Sequence, residues 1–156
     1  MLDALLSPQT VAVIGASSKP GKVGHAVLSN LVSSGYEGTI IPVNPSGGEQ
    51  MGLKVYEDLS QVDQKVDLSV IVVPNKAVRD ATESSVKAGA QAICVITAGF
   101  KEVGEEGASL EKDLADYCKR QRVRLLGPNC LGLINTQNSM NASFSSQMPR
   151  SGGISI

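Results

Sequence analysis

Residues 10–24 read TVAVIGASSKPGKVG. Thr10–Ile14 is an unbroken apolar run rich in β-branched residues, and such a run closed by glycine reads as a buried strand. From Lys22 the period changes. Val23, Val27, Leu28, Leu31 and Val32 share one side of a helix reaching Ser34. Between the two, Gly15 permits a tight turn straight off the strand. Gly21 and Gly24 let a ligand, or the strand itself, approach the helix start. A helix that opens directly above a strand end presents unpaired N–H groups and the positive end of its dipole, which is an anion site. Ser17 and Ser18 add hydroxyl donors there, and Lys19 and Lys22 add charge. The spacing is neither G-x-G-x-x-G nor G-x-x-x-x-G-K-[ST], because Val23 stands where a kinase-like phosphate loop needs Ser or Thr. The plainer alternative is a tight turn between strand and helix that binds nothing.

Outward from this stretch the same alternation repeats. Strand-like runs fall at Thr39–Val43, Leu68–Val73, Ala92–Ile96 and Val123–Leu126. Helical patterns fall at Asn75–Ala88, with Gly89 as its cap, and at Glu105–Arg120, where Leu110, Leu114, Tyr117 and Cys118 share a face. Repeated strand–helix units imply right-handed crossovers. The expected fold is a single α/β domain, a Rossmann-like open parallel sheet with helices on both faces. Gly52–Val55 is expected as a short edge strand, followed by a helical turn around Glu57–Val62. Counting it, the strand order is 3-2-1-4-5, with a further strand from Gly153. The domain is set at residues 1–150. Residues 151–156 read as the start of another strand, cut off before a second domain, since the chain stops at Ile156 without a turn or cap.

Composition narrows the function. Hydrophobic residues make up 42% of the 156 but aromatic residues only 3%, with no Trp, so the core is aliphatic, as a helix-covered parallel sheet requires. The net charge of −1, from 14 basic and 15 acidic residues, offers no global field for nucleic acid or an anionic membrane. No apolar run is long enough to span a bilayer, and the first ten residues lack the basic start of a secretion signal. Cys94, Cys118 and Cys130 are odd in number and widely spaced, which fits neither a disulfide framework nor a zinc site and suits a reducing cytoplasm.

In an open α/β sheet, ligands bind beyond the carboxyl ends of the strands. Those ends are Gly15–Ser18, Asn44–Ser46, Val73–Asn75, Thr97–Phe100 and Gly127–Cys130, all rich in Gly, Pro, Asn or hydroxyl residues. Thr97–Phe100 can offer backbone N–H groups and an apolar wall. A dehydrogenase normally places Asp or Glu at the end of the second strand to hold a ribose. Asn44 stands there instead, which weighs against an NAD(P)-dependent oxidoreductase or redox sensor. His25, the only histidine, reads as a packed or solvated side chain, and Cys130 has no neighbouring His to activate it. No catalytic residue and no metal site emerge. From the residues alone, the chain is a binding domain for a phosphate-bearing nucleotide.

The stretches VAVIGASSKPGKVGHAVLSNL, IIPVNP, VDLSVIVVP, ITAGFKEVGEEG and LGPNCLGLINT together resemble the CoA-binding domain of ADP-forming acetyl-CoA synthetases and of the related succinyl-CoA synthetase alpha subunit. NASFSSQMPRSGGISI resembles this family's exit from the domain, and the resemblance spans essentially the whole chain. Thr97-Ala-Gly-Phe-Lys-Glu fits the ADP-forming branch better than the succinate branch. The resemblance implies coenzyme A as ligand, held by the loop at Ser17–Pro20, the end of the second strand and the turn at Ile96–Ala98. The implied contact set is Gly15, Ser17, Ser18, Lys19, Pro20, Gly21, Lys22, Val23, Gly24, Asn44, Pro45, Val73, Pro74, Ile96, Thr97, Ala98 and Asn129. Family members often carry a Lys just after Val43-Asn44-Pro45. This chain has Ser46-Gly47-Gly48, which leaves the charge to Lys19 or Lys22. The family works through an acyl phosphate and a phosphohistidine in a following domain, and His25 does not match that histidine. The resemblance therefore implies part of an NDP-forming acid–thiol ligase, inactive alone, whose partners are the missing ligase domains or a beta subunit. A stand-alone CoA-binding or regulatory module is the alternative. The acyl substrate, the choice of ADP or GDP and the oligomeric state, a homo-oligomer included, stay open.

Overall fold

Every side chain of Thr10–Ile14 is buried, and that strand is the centre from which the rest is laid out. A computed structural model describes residues 2–153. The order is α1 (Asp3–Leu6), β1 (Thr10–Ile14), α2 (Val23–Ser33), β2 (Thr39–Val43), β3 (Glu49–Gln50), β4 (Leu53–Lys54), a 3-10 turn (Leu59–Gln61), β5 (Leu68–Ile71), α3 (Asn75–Lys87), β6 (Ala92–Val95), a second 3-10 turn (Lys101–Val103), α4 (Glu105–Arg120), β7 (Arg124–Leu126), β8 (Gly132–Asn135) and β9 (Met140–Ser143). Five strands form one parallel sheet in the order β2-β1-β5-β6-β7. The chain steps outward from β1 to β2, then returns to the other side of β1. The switch point therefore lies between β1 and β5, above which the Gly15–Gly24 loop stands.

The strand pleat sends alternate side chains to two apolar layers. Val11, Val13, Leu68, Val70, Ala92 and Cys94 pack against Val27, Leu28 and Leu31 of α2 and against Met140 and Ala142 of β9. Ala12, Ile14, Ile41, Val43, Ile71, Ile93 and Val95 pack against Val78 of α3 and Leu114 and Cys118 of α4. The fold is the Rossmann-like, helix-covered parallel sheet that the alternation predicts.

Three details differ from the expected layout. Gly52–Val55 does not become an edge strand of the main sheet: β3 and β4 pair with each other, and only Tyr56 reaches β2, through a single parallel bridge to Val43. Pro42 explains why. Its carbonyl accepts from Tyr56 N–H on the outer edge of β2, but proline has no N–H to continue the ladder there. Second, the hairpin β8–β9 stands beside α2 and helps close its layer. Its tip is tied to the amino end of the sheet by Asn135 and Asn138, which donate to Leu6 O at 2.7 and 3.1 Å. Its return strand is tied to α2 by Asn30, which donates to Ser143 O and Ser145 O. Third, β5 stops at Ile71, two residues short of Val73. The further strand expected from Gly153 lies outside the described residues.

Candidate functional site

Hydrogen bonds stitch the five strand ends together in sheet order. At β2 and β1, Gly15 N–H and Ala16 N–H both donate to Val43 O, and Asn44 Nδ2 donates to Ala16 O at 2.8 Å. At β1 and β5, Val72 N–H donates to Ile14 O. At β5 and β6, Thr97 Oγ1 donates to Val73 O at 2.6 Å. Between β6 and the turn after β7, Asn129 N–H donates to Thr97 O at 3.0 Å. Asn44, Val73, Thr97 and Asn129 thus share one rim with the loop.

The loop itself is built by two glycines that do different work. Gly15 has φ of +93°, a conformation that side-chain-bearing residues rarely adopt, and it turns the chain directly off β1. Gly24 sits in the first turn of α2, where an added Cβ would fall well inside 3.0 Å of Gly15 O and 3.3 Å from Val72 Cγ2. Only glycine lets the helix start this close to the strand ends. Lys22 precedes α2 in an extended conformation with no side-chain cap. His25 and Ala26 N–H donate to Lys22 O, but no acceptor among the described residues meets the N–H groups of Val23 and Gly24. Two unpaired donors thus stand at the positive end of an 11-residue helix, a geometry that favours an anion. The residues from Ser18 to Val23 are all exposed, and neither Lys19 nor Lys22 is drawn into an ion pair among the described residues.

Side chains brace this loop from below. Asn44 Oδ1 accepts from Ser46 N–H at 2.9 Å while its Nδ2 holds Ala16 O, so its amide is committed to the protein at both ends. Ser17 Oγ accepts from Lys19 N–H at 3.2 Å. His25, half-buried, places Nδ1 3.1 Å from Ser17 O. A carbonyl only accepts, so Nδ1 carries the proton of that bond. The ring is a loop brace, a role its sequence position did not disclose.

The remaining predicted residues divide by exposure. Pro45, Pro74, Ala98 and Asn129 are exposed, and Val73 and Thr97 are half-buried. Ile96 is 7% exposed with its side chain in the α2 layer, so only its backbone faces the rim. Thr97–Phe100 does not offer the wall expected of it. Gly99 N–H donates to Glu102 Oε1 at 2.6 Å, a bond that holds the Glu102 carboxyl below its usual range, and Phe100 is buried in the α3–α4 layer. Cys130, in the turn that follows the cis Gly127–Pro128 peptide, lies 3.7 Å from Cys94, sulfur to sulfur. Two cavities are present besides, the second reaching the rim at Asn75 and Phe100. One of about 620 Å3 is lined by Asp58, Ser60, Glu83 and Lys87, and another of about 390 Å3 lies between α3 and α4. Among the described residues, no group of His, Cys, Asp and Glu could hold a metal ion, and no helix is long and apolar enough to cross a membrane.

A Rossmann-like domain with a glycine-built anion loop at the switch point is a nucleotide-binding domain. Which one is shown by comparison with known proteins. The chain belongs to the CoA-binding domain family, whose model matches residues 9–136. The alpha subunit of ADP-forming acetate–CoA ligase I of Pyrococcus furiosus is 44% identical over 92% of this chain. The ADP-forming acetate–CoA ligase I of Archaeoglobus fulgidus is 44% identical over 99% of it. Among solved structures, acetyl-coenzyme A synthetase 1 of Candidatus Korarchaeum cryptofilum, in complex with phosphate and ADP, superposes with a TM-score of 0.88 at 42% identity over 92% of the chain. The chain spans only 32%, 22% and 31% of these three proteins.

Proposed function

We propose that the pyrophosphate of coenzyme A lies on the unpaired N–H groups of Val23 and Gly24. The observation that carries this is the close approach of α2 to the turn off β1 at Gly24, which sets the N–H groups of Val23 and Gly24 above the strand ends with no partner among the described residues. The shape suits a diphosphate, which needs clustered donors without a bulky neighbour. Ser17, Ser18, Lys19, Pro20, Gly21 and Lys22 flank the phosphates, with Gly15 beneath them. The two lysines supply the charge that Ser46-Gly47-Gly48 lacks. Asn44 and Pro45 border one side of the ligand. Val73, Pro74, the backbone of Ile96, Thr97, Ala98 and Asn129 border the other. Asn44 acts by holding the loop, since its amide is already engaged at both ends.

Coenzyme A supplies a thiol that carries the acyl group. This chain's residues bind and orient it, and none is placed to transfer a phosphoryl group. The parent activity follows the relatives: an NDP-forming acid–thiol ligase that interconverts acyl-CoA, ADP and phosphate with acid, CoA and ATP. Its remaining domains, or a beta subunit, supply the chemistry. We place the CoA-binding unit at residues 1–150, with the reducing cytoplasm as the setting for three free thiols. Incubating residues 1–156 with acetyl phosphate or ATP is expected to leave the mass unchanged, because no carboxylate among the described residues orients the His25 ring, whose Nδ1 is held by Ser17 O. A gain of about 80 Da, one phosphoryl group, lost in His25→Ala would make this domain itself the phosphate carrier.

A further inference from the structure

Cys94 lies in the middle of β6 and is fully buried. Cys130 is half-buried in the turn after β7, between the exposed residues Asn129 and Leu131. Their sulfurs are 3.7 Å apart, and Cys130 Sγ also donates to Val95 O at 3.3 Å. Cys118 belongs to the opposite apolar layer, across the sheet, and cannot join them. The two thiols differ in character. The bond between the sulfurs, then burial, pushes Cys94 above the usual thiol range, and the same bond lowers Cys130. One thiol is therefore half-exposed in a turn and the more readily ionised of the two, and the other is sequestered beside it.

We propose that Cys94 and Cys130 form a two-thiol modification site at the carboxyl edge of the sheet, which a peroxide converts reversibly to a disulfide. The Cys130 thiolate attacks one peroxide oxygen and the O–O bond breaks. With hydrogen peroxide, Cys130 becomes a sulfenic acid, and the departing hydroxide takes up the thiol's proton to leave as water. The Cys94 sulfur then attacks the Cys130 sulfur and displaces its oxygen, which leaves as a second water with the Cys94 proton. Two thiols lose two electrons and two protons, and the peroxide is reduced to two waters. A dithiol reductant reverses the bond by exchange. Closing the pair moves Cys130 off Val95 O and pulls the turn that carries Asn129, whose N–H holds Thr97 O. Because Thr97 and Asn129 border the proposed ligand site, the oxidised form is expected to bind coenzyme A several-fold more weakly. That consequence rests on the CoA reading, but disulfide formation does not.

The test is peptide mapping of the wild-type chain after hydrogen peroxide, with free thiols alkylated before any reduction. The expected product is a Cys94–Cys130 linked peptide about 2 Da lighter than the sum of its parts. It should be restored by dithiothreitol, with Cys118 alkylated throughout. In Cys94→Ala, which keeps a small apolar side chain in the core, Cys130 should advance to sulfinic and sulfonic acid. Wild-type Cys130 reaching those acids while Cys94 stays alkylable would overturn the proposal, as would two alkylated thiols after peroxide. CoA titration of the reduced and oxidised forms separates the two readings. A disulfide with unchanged affinity removes the link to the ligand site. Failure of the reduced form to bind CoA sinks the CoA reading and leaves the thiol site standing.

Discussion

Gly24→Ala isolates the feature on which the ligand site depends. The new Cβ would press on Gly15 O, and Val72 Cγ2 stands 3.3 Å away. The first neighbour is backbone at the turn off β1 and the second a side chain at the end of β5, so relief requires α2 to move outward. Overpacking of this kind costs about 1–3 kcal/mol. Against it, alanine gains about 1 kcal/mol over glycine in a helix. With backbone the closest neighbour, the cost lies at the upper end, and the net loss is about 2 kcal/mol. In a chain of this size that lowers the melting temperature by roughly 4–8 °C. Displacing α2 also displaces the N–H groups of Val23 and Gly24, so CoA affinity falls with stability. Gly52→Ala, outside the proposed contact set, is the control. Its Cβ would meet nothing within 4 Å, and its cost is confined to the positive φ of +77°, about 1 kcal/mol. Thermal melts and CoA titrations of both variants are the assay. If Gly24→Ala melts and binds as wild type, or if Gly52→Ala weakens binding more, the close approach at Gly24 is not what makes the site.

Two further outcomes follow from the braces and from a half-buried phenol. Asn44→Ala leaves Ala16 O and Ser46 N–H without their partner. It should cost about 1–2 kcal/mol in urea unfolding and raise the Kd for CoA about tenfold; a lower stability with unchanged Kd would show that the brace does not govern the loop. Tyr36 donates to Pro8 O at 2.8 Å, and burial, then the Asp67 charge, pushes its pKa up to about 12. The folded state therefore favours the neutral phenol. This stability is fully present below pH 10 and is lost as pH rises through 12. With the phenol about half exposed, solvent screening reduces it to about 1 kcal/mol. The stability gap between wild type and Tyr36→Phe should shrink by that amount between pH 9 and pH 12, and a constant gap would contradict it.

The sheet was legible because its signal is local. Runs such as Thr10–Ile14 and Ala92–Val95 are buried on both sides, and no period other than a central strand's suits them. Helix α4 was readable to the residue from its apolar face, although of that face Leu114 and Cys118 are buried while Leu110 is left exposed. The loop between Gly15 and Gly24 was readable because a strand, a turn and a helix start leave few alternatives for their N–H groups. What the sequence hid depends on distant partners. The β8–β9 hairpin alternates weakly, and its place beside α2 is set by Asn30, more than a hundred residues away. Phe100 looked like a ligand wall because only the folded chain shows α4 packed over it. Asn44 and His25 were visible as polar residues at the site, but their hydrogen-bond partners, Ala16 O and Ser17 O, exist only once the loop has closed. The meeting of Cys94 with Cys130 spans 36 residues and left no trace in their spacing.

The most direct measurement is isothermal titration of the chain with coenzyme A, dephospho-CoA and NAD under identical salt. All three carry a pyrophosphate, so a bare anion loop would bind them alike. A CoA-binding domain is expected to bind coenzyme A the tightest, dephospho-CoA more weakly for want of one phosphate near Lys19 and Lys22, and NAD the least. The same order should persist in Cys130→Ser, where the thiol pair is gone. NAD binding tighter than coenzyme A, or all three binding equally, would contradict the assignment of this site.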